Sequence, residues 1–118
     1  ISLYAICEYP EVFGGAACMS THWPGRRPPY EETVFSNVLL IYMERTLPIP
    51  GKHRIYFDHG TINLDSFYKP SQEKADEIMR EKGFTARNWI TREFHGEDHS
   101  ERDWAARFHF PMTFLLGK

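Results

Sequence analysis

Charge of one sign, cysteine and long apolar runs are all scarce in this chain, and each scarcity removes a class of function. Lys and Arg number 14 against 16 Asp and Glu, a formal net charge of −2. Such a balance offers no positive field for nucleic acid or for an anionic membrane surface. No apolar run approaches the roughly 20 residues a membrane-spanning helix needs. No signal-peptide pattern opens the sequence. It begins at Ile1, without Met and inside a helical pattern, so the native N-terminus is expected to lie elsewhere. The 2 cysteines, Cys7 and Cys18, sit in apolar contexts and are too few for a disulfide framework. Free buried thiols are the expectation. That favours the cytoplasm, with a periplasmic or secreted location left open.

What is present is an ordinary globular balance, 42% hydrophobic and 25% charged, with aromatics raised to 15%. The rings suggest a core or groove built from large side chains. At 118 residues the chain is one domain or part of one.

Hydrophobic spacing and breakers divide it into alternating elements. Ile1 to Phe13 reads as the tail of a helix and a turn, interrupted by Pro10. Ala16 to Ser20 is short, small and apolar, which suits a strand buried on both faces of a parallel sheet. Thr21 to Tyr30 is a Pro-rich loop holding His22, Trp23, Arg26 and Arg27. Glu31 to Leu47 is the clearest helix, with Glu31 and Glu32 at its positive end and Val34, Phe35, Val38, Leu39, Ile41 and Tyr42 inward. His53 to Asp58 is a second strand, and Gly60 allows a sharp exit. Pro70 to Lys82 is a helix with Ala75, Ile78 and Met79 inward and Gly83 as its stop. Asn88 to Phe94 is a third strand. Glu101 to Leu116 is a last helix, kinked at Pro111, with Trp104, Ala105, Phe108, Met112, Leu115 and Leu116 inward.

That order predicts an α/β fold, a three-stranded parallel sheet with helices on both faces and right-handed crossovers. Three parallel strands make an incomplete sheet, and the edge beside Ala16–Ser20 is expected to be open. Residues 1–118 are therefore expected to form a single partial domain, part of a longer protein or one that pairs edge to edge as a homo-oligomer.

Ligands of such sheets bind at the carboxyl ends of the strands. His99, in the loop Gly96 to Trp104 after the third strand, is placed there as a candidate general base. Asp65, in the loop after the second strand, is a candidate to orient it. Acid before histidine is the chain order of α/β-hydrolase triads. Each has an ordinary alternative: His99 as a cap of the last helix or a partner of a backbone carbonyl, and Asp65 as an N-cap or turn aspartate. Asp58 is a rival acid, though as the last strand residue before a tight turn it reads as structural. His22 and Trp23 are candidates to line an acyl or alcohol pocket, or to pack as aromatics. No G-x-S-x-G motif occurs. Ser2, Ser20, Ser36, Ser66, Ser71 and Ser100 lack the glycine-flanked turn that exposes a nucleophile, and Ser20, ending a strand, comes nearest. Cys18 belongs to the core. His95, His99, Glu97, Asp98 and His59 are zinc-type donors, but no H-E-x-x-H pattern joins them, and no metal or other cofactor is expected.

The residues also resemble a known family. Ile1-Ser2-Leu3-Tyr4-Ala5 with Tyr9-Pro10-Glu11-Val12-Phe13-Gly14-Gly15 resembles the helix and exit that follow the nucleophile elbow in an esterase family of the α/β-hydrolases. The family includes enterochelin esterases, feruloyl esterases, S-formylglutathione hydrolases and mycolyltransferases. Tyr56-Phe57-Asp58-His59-Gly60-Thr61, then Leu64-Asp65 and Tyr68, resembles its strand and acid loop. Asp98-His99-Ser100-Glu101 with Trp104, Arg107 and Phe108, then Phe114-Leu115-Leu116-Gly117, resembles its histidine loop and last helix. The resemblance covers the whole chain as the C-terminal half of that fold. It implies hydrolysis of a small-molecule carboxylic ester through an acyl-serine, with Asp65 and His99 in a Ser-His-Asp triad. The serine elbow and front strands of the family are missing, so this chain by itself is expected to be inactive. A non-catalytic, self-associating α/β module is the alternative, and neither nucleic acid nor membrane is an expected partner.

Overall fold

Three short strands, β1 (Gly15–Met19), β2 (Arg54–Gly60) and β3 (Trp89–Phe94), form one sheet in the order β1-β2-β3. The computed structural model describes residues 1–24 and 37–117. Both strand pairs are parallel, with Ala16 beside Ile55 and Ile55 beside Trp89, and with Met19 beside Asp58 and Asp58 beside Arg92. Between and around the strands run α1 (Ser2–Glu8), α2 (Val38–Thr46), a 3₁₀ helix (Asn63–Phe67), α3 (Lys69–Glu81), α4 (Glu101–Arg107) and α5 (His109–Leu116). The chain is an α/β arrangement built on an open, all-parallel sheet with flanking helices.

The register decides which side chains meet, because neighbouring residues of a parallel pair point to the same face. Ala16, Cys18, Ile55 and Phe57 share one face, and they join Leu3, Ile6, Cys7, Leu40, Met43, Leu47, Ala75 and Met79 in the hydrophobic core. That face is covered by α1, α2 and α3. Burying each of the larger side chains stabilises the fold by about 1.5–3 kcal/mol before its ordering entropy is counted. The small residues of β1 let α1 approach closely. The opposite face carries Arg54, Tyr56 and Asp58, and α4 and α5 close over it. Arg54 donates to the carbonyls of Phe114 and Gly117, both at 3.0 Å.

Local chemistry explains the element ends. Pro10 disfavours helical backbone at Tyr9, and α1 stops at Glu8. After α3, Gly83 takes φ +91°. Its N–H bonds Arg80 O and that of Phe84 bonds Met79 O, each at 3.0 Å, a Schellman stop sealed by the buried Phe84.

Two helices depart from expectation. In α2 the buried residues are Leu40 and Met43, while Val38 and Ile41 are exposed. The run from Val38 to Met43 is apolar at every position, so its periodicity did not select a face, and packing against α1 and α3 did. Arg26, Arg27, Glu31, Glu32, Val34, Phe35 and Ser36 lie outside the described residues. The last helix is interrupted at Phe108, where α4 ends and α5 begins. Pro111, expected to kink it, has no N–H to bond the Arg107 carbonyl four residues back, and the interruption falls at that turn. Ala105, Phe108 and Leu116 consequently point outward, and the side chain that turns inward from α4 is Arg107, 1% exposed.

Among the described residues, β1 and β3 each have one neighbour, and the outer edge of β1 is unpaired. No described helix is long and apolar enough to cross a membrane. Both cysteines are free and buried.

Burial pushes the Cys18 thiol from an ordinary 9.0 up to about 12. The folded chain thus keeps a proton that the unfolded chain releases. Stability is untouched below about pH 9 and declines as pH rises toward 12, by at most about 1.4 kcal/mol per unit. Urea midpoints measured near pH 8 and near pH 10.5 are expected to fall, and Cys18→Ala is expected to flatten that decline.

Candidate active site

The carboxyl ends of all three strands converge on one cluster. Ser20 follows β1, Asp58 lies near the end of β2, Asp65 sits in the 3₁₀ helix beyond β2, and His99 follows β3. The two loops that carry the last pair are laced together. Glu97 O accepts from Thr61 N at 2.9 Å and from Ile62 N at 3.2 Å, and Gly96 N donates to Thr61 Oγ1 at 2.8 Å. Asn63 Nδ2 donates to Asp98 Oδ2 at 3.0 Å. Gly60 is needed at the crossing, since a Cβ there would lie 2.0 Å from Glu97 O.

His99 stands directly before α4. Ser100 caps that helix by accepting from Asp103 N, and the Asp103 carboxylate accepts from Asp98 N at 2.7 Å. The Asp98 N–H is the chief cause holding the Asp103 carboxyl below its usual range. The cap fixes the backbone on both sides of His99.

The imidazole is positioned from three directions. Its Nδ1 meets Asp65 Oδ1 at 3.0 Å and the Tyr68 hydroxyl at 3.4 Å. The Trp104 ring packs edge-on against it, centroids 4.9 Å apart. Asp65 is fully buried and the His99 side chain 29% exposed. Its exposed part opens into a cleft of about 790 Å³ lined also by Ile1, Tyr4, Met19, Ser20, His22 and Phe108. The sequence-derived pair, acid and histidine, is thus brought within hydrogen-bond distance by the fold. His22 also reaches the cluster, its Nδ1 2.7 Å from the Tyr68 hydroxyl.

Trp23 does not line the cleft and is corrected to a core residue. It is 1% exposed, packs on Phe57 with centroids 5.7 Å apart, and donates from Nε1 to Gln72 Oε1 at 3.2 Å. A ring of this size one residue beyond a solvent-lining position finds more apolar contact beneath the sheet end than in the cleft.

Asp58 is structural; it lies two residues inside the end of β2 rather than at its last position, and its partner is Arg107. The guanidinium grips the carboxylate in a fork, Nε to Oδ2 at 3.1 Å and Nη2 to Oδ1 at 3.0 Å. It also donates to Glu97 Oε2 at 2.6 Å and to Ser20 Oγ at 2.8 Å. Burial opposes the charge, but the bonds to Glu97 and Asp58 outweigh it and raise the Arg107 pKa. Burial, then the Asp58 charge, pushes the Tyr56 phenol well above its ordinary value. Its hydroxyl donates to Asp58 Oδ2 at 2.9 Å. Sequence reasoning missed this network, although one signal was available. Arg107 lies three residues beyond Trp104, on the same face of a helix, and a charge on an inward face demands buried acceptors.

Ser20 is not a free nucleophile. Its Oγ donates to Asp65 Oδ2 at 2.6 Å and accepts from Trp104 Nε1 at 3.0 Å and Arg107 Nη2 at 2.8 Å. Ser66 is committed to Asn63 O and Ser100 to its cap. Among the described residues no group of three His, Cys, Asp or Glu side chains is placed to hold a metal ion. His59 is buried with Nδ1 turned to Gly60 O at 2.7 Å.

Comparison with known proteins returns nothing: no family model, no curated protein and no solved structure matches this chain.

Two substitutions test the architecture. Arg107→Ala leaves three acidic side chains without their shared cation and is expected to cost about 3–5 kcal/mol in urea unfolding. Gly60→Ala forces the β2 exit away from Glu97 and is expected to cost about 3 kcal/mol, measured in the same way.

Proposed function

We propose that this chain carries the acid and histidine of a Ser-His-Asp carboxylic-ester hydrolase, as the C-terminal part of an α/β-hydrolase. The observation that carries the reading is the Asp65–His99 pair: a buried carboxylate on Nδ1, 3.0 Å away, behind an imidazole that opens on a cleft at the carboxyl ends of parallel strands. That is where and how such a fold presents its base. The acid holds the ring in one orientation and stabilises its charged form. The base takes the proton of a serine hydroxyl as the oxygen attacks the ester carbonyl, and returns it to the departing alcohol. Water then repeats the sequence on the acyl-serine.

Among the described residues no serine stands at a glycine-flanked strand-to-helix turn, so in this reading neither the nucleophile nor the backbone N–H pair of its oxyanion hole is among them. Both belong, in this reading, to a segment that pairs with the open edge of β1 and enters α1 at its N-terminal end. Ile1, Ser2 and Tyr4 line the same cleft as His99, so a residue delivered there would stand beside the base. The free, buried thiols support a reducing compartment such as the cytoplasm.

A second reading is favoured by the same open edge. The outer side of β1, unpaired among the described residues, would let two copies join their sheets without catalysis. Sedimentation of the chain at micromolar concentration separates the two: a stable monomer rules out edge pairing.

Residues 1–118 alone are expected to hydrolyse an activated aryl ester no faster than background. A longer product of the same reading frame that bears a G-x-S-x-G elbow is expected to hydrolyse it and to be labelled on serine by a fluorophosphonate. His99→Ala in that product is expected to lower kcat about 10³- to 10⁶-fold. A reading frame with no such elbow upstream of Ile1 sinks the proposal.

A further inference from the structure

Ser20 is the point where the structure departs most from an ordinary strand end. Its backbone takes φ +47°, a region that few residues other than glycine enter. Two bonds hold it there: Ser20 N donates to Asp58 O at 2.9 Å and to Asp58 Oδ1 at 3.1 Å. The side chain is thereby turned inward, 3% exposed, between the acid of the site and α4.

We infer that Ser20 is a positioning residue that locks the Asp65 carboxylate and, through it, fixes the tautomer and aim of His99. The argument begins with the capacity of a hydroxyl, one donor and two lone pairs. Trp104 Nε1 and Arg107 Nη2 are obligate donors, and both point at Ser20 Oγ. They occupy its two lone pairs. The single hydroxyl proton is left with one acceptor, Asp65 Oδ2, at 2.6 Å. Its direction is therefore dictated by its neighbours.

The same count applies to the carboxylate. Asp65 Oδ2 receives the Ser20 hydroxyl and Gly60 N, both at 2.6 Å, and Arg107 Nη2 lies 3.9 Å away. Its capacity is filled, and Oδ1 alone faces His99 Nδ1. A carboxylate oxygen can only accept, so Nδ1 carries a proton and Nε2 is the nitrogen left toward the cleft. Trp104 serves twice: it donates to Ser20 and stands against the imidazole. One serine thus ties β1, the acid, the base and α4 into a single hydrogen-bonded unit. The catalytic meaning of this lock rests on reading Asp65 and His99 as acid and base, but the lock itself is a property of this chain.

The test is nuclear magnetic resonance of the histidine rings in the ¹⁵N-labelled chain at neutral pH, with the His99 signals assigned by their loss in His99→Gln. The parent chain is expected to show His99 with its proton on Nδ1, exchanging slowly with water. Ser20→Gly suits the positive φ and removes the hydroxyl together with its methylene. It is expected to speed exchange of that proton about tenfold or more and to populate the Nε2–H tautomer. Trp104→Phe keeps a ring against His99 but frees a lone pair on Ser20, and it is expected to speed exchange to a lesser degree. It carries the test by itself should Ser20→Gly not fold. An Nε2–H tautomer in the parent chain, or exchange unchanged in the folded variants, overturns the inference. Because neither readout needs an esterase nucleophile, a lock that holds while the longer product of the same reading frame shows no hydrolytic activity would sink the functional reading alone. Activity without the lock would sink only this one.

Discussion

A single buried cation holds the working end of this protein together. Arg107 projects from α4 beneath the sheet and reaches residues that follow or end every strand: Ser20 beyond β1, Asp58 in β2 and Glu97 beyond β3. An ion taken out of water is costly unless its bonds are made, and here the fork geometry of the guanidinium lets one group satisfy three elements at once. The break between α4 and α5 lies directly after this arginine, where Pro111 has no N–H for the Arg107 carbonyl, and α5 continues across β2 and β1. The positive φ of Ser20 is held by the same cluster, since the carboxylate that receives Arg107 also receives Ser20 N.

The two faces of the sheet have different chemistry as a result. Toward α1, α2 and α3 the contacts are apolar, and their strength comes from area removed from water. Toward α4 the strand end is polar and fully buried, and its strength comes from satisfied hydrogen bonds whose loss would leave charges stranded. The candidate base sits at the boundary. Its Nδ1 side belongs to the polar cluster, held by Asp65 and Tyr68, and its other side opens on the cleft. Such a division suits a residue that must be held rigidly yet stay accessible.

The open edge of β1 and the cleft are two aspects of one geometry. The N-terminal turn of α1 and the carboxyl end of β1 border the cleft together, so whatever pairs with β1 also completes the space in front of His99. Among the described residues the outer side of β1, with Gly15, Ala16 and Ala17, is unpaired and lacks the charges and prolines by which natural edges are guarded.

Much of the fold was legible in the sequence. Glycine and proline punctuation marked the elements, the alternation of helix and strand implied a parallel sheet, and Gly83 ended α3 as its conformation requires. The order of Asp65 and His99 in loops after successive strands was enough to nominate them as a pair, because parallel topology brings such loops to one end. What the sequence could not decide was orientation wherever composition was uniform or a charge lay among rings. The apolar run of α2 offered no preferred face, and Trp23 was equally suited to core and cleft. The role of Arg107 was settled only by the tertiary structure. Its acceptors come from positions 20, 58 and 97, far apart along the chain, and no local spacing reports a cluster assembled by the fold itself.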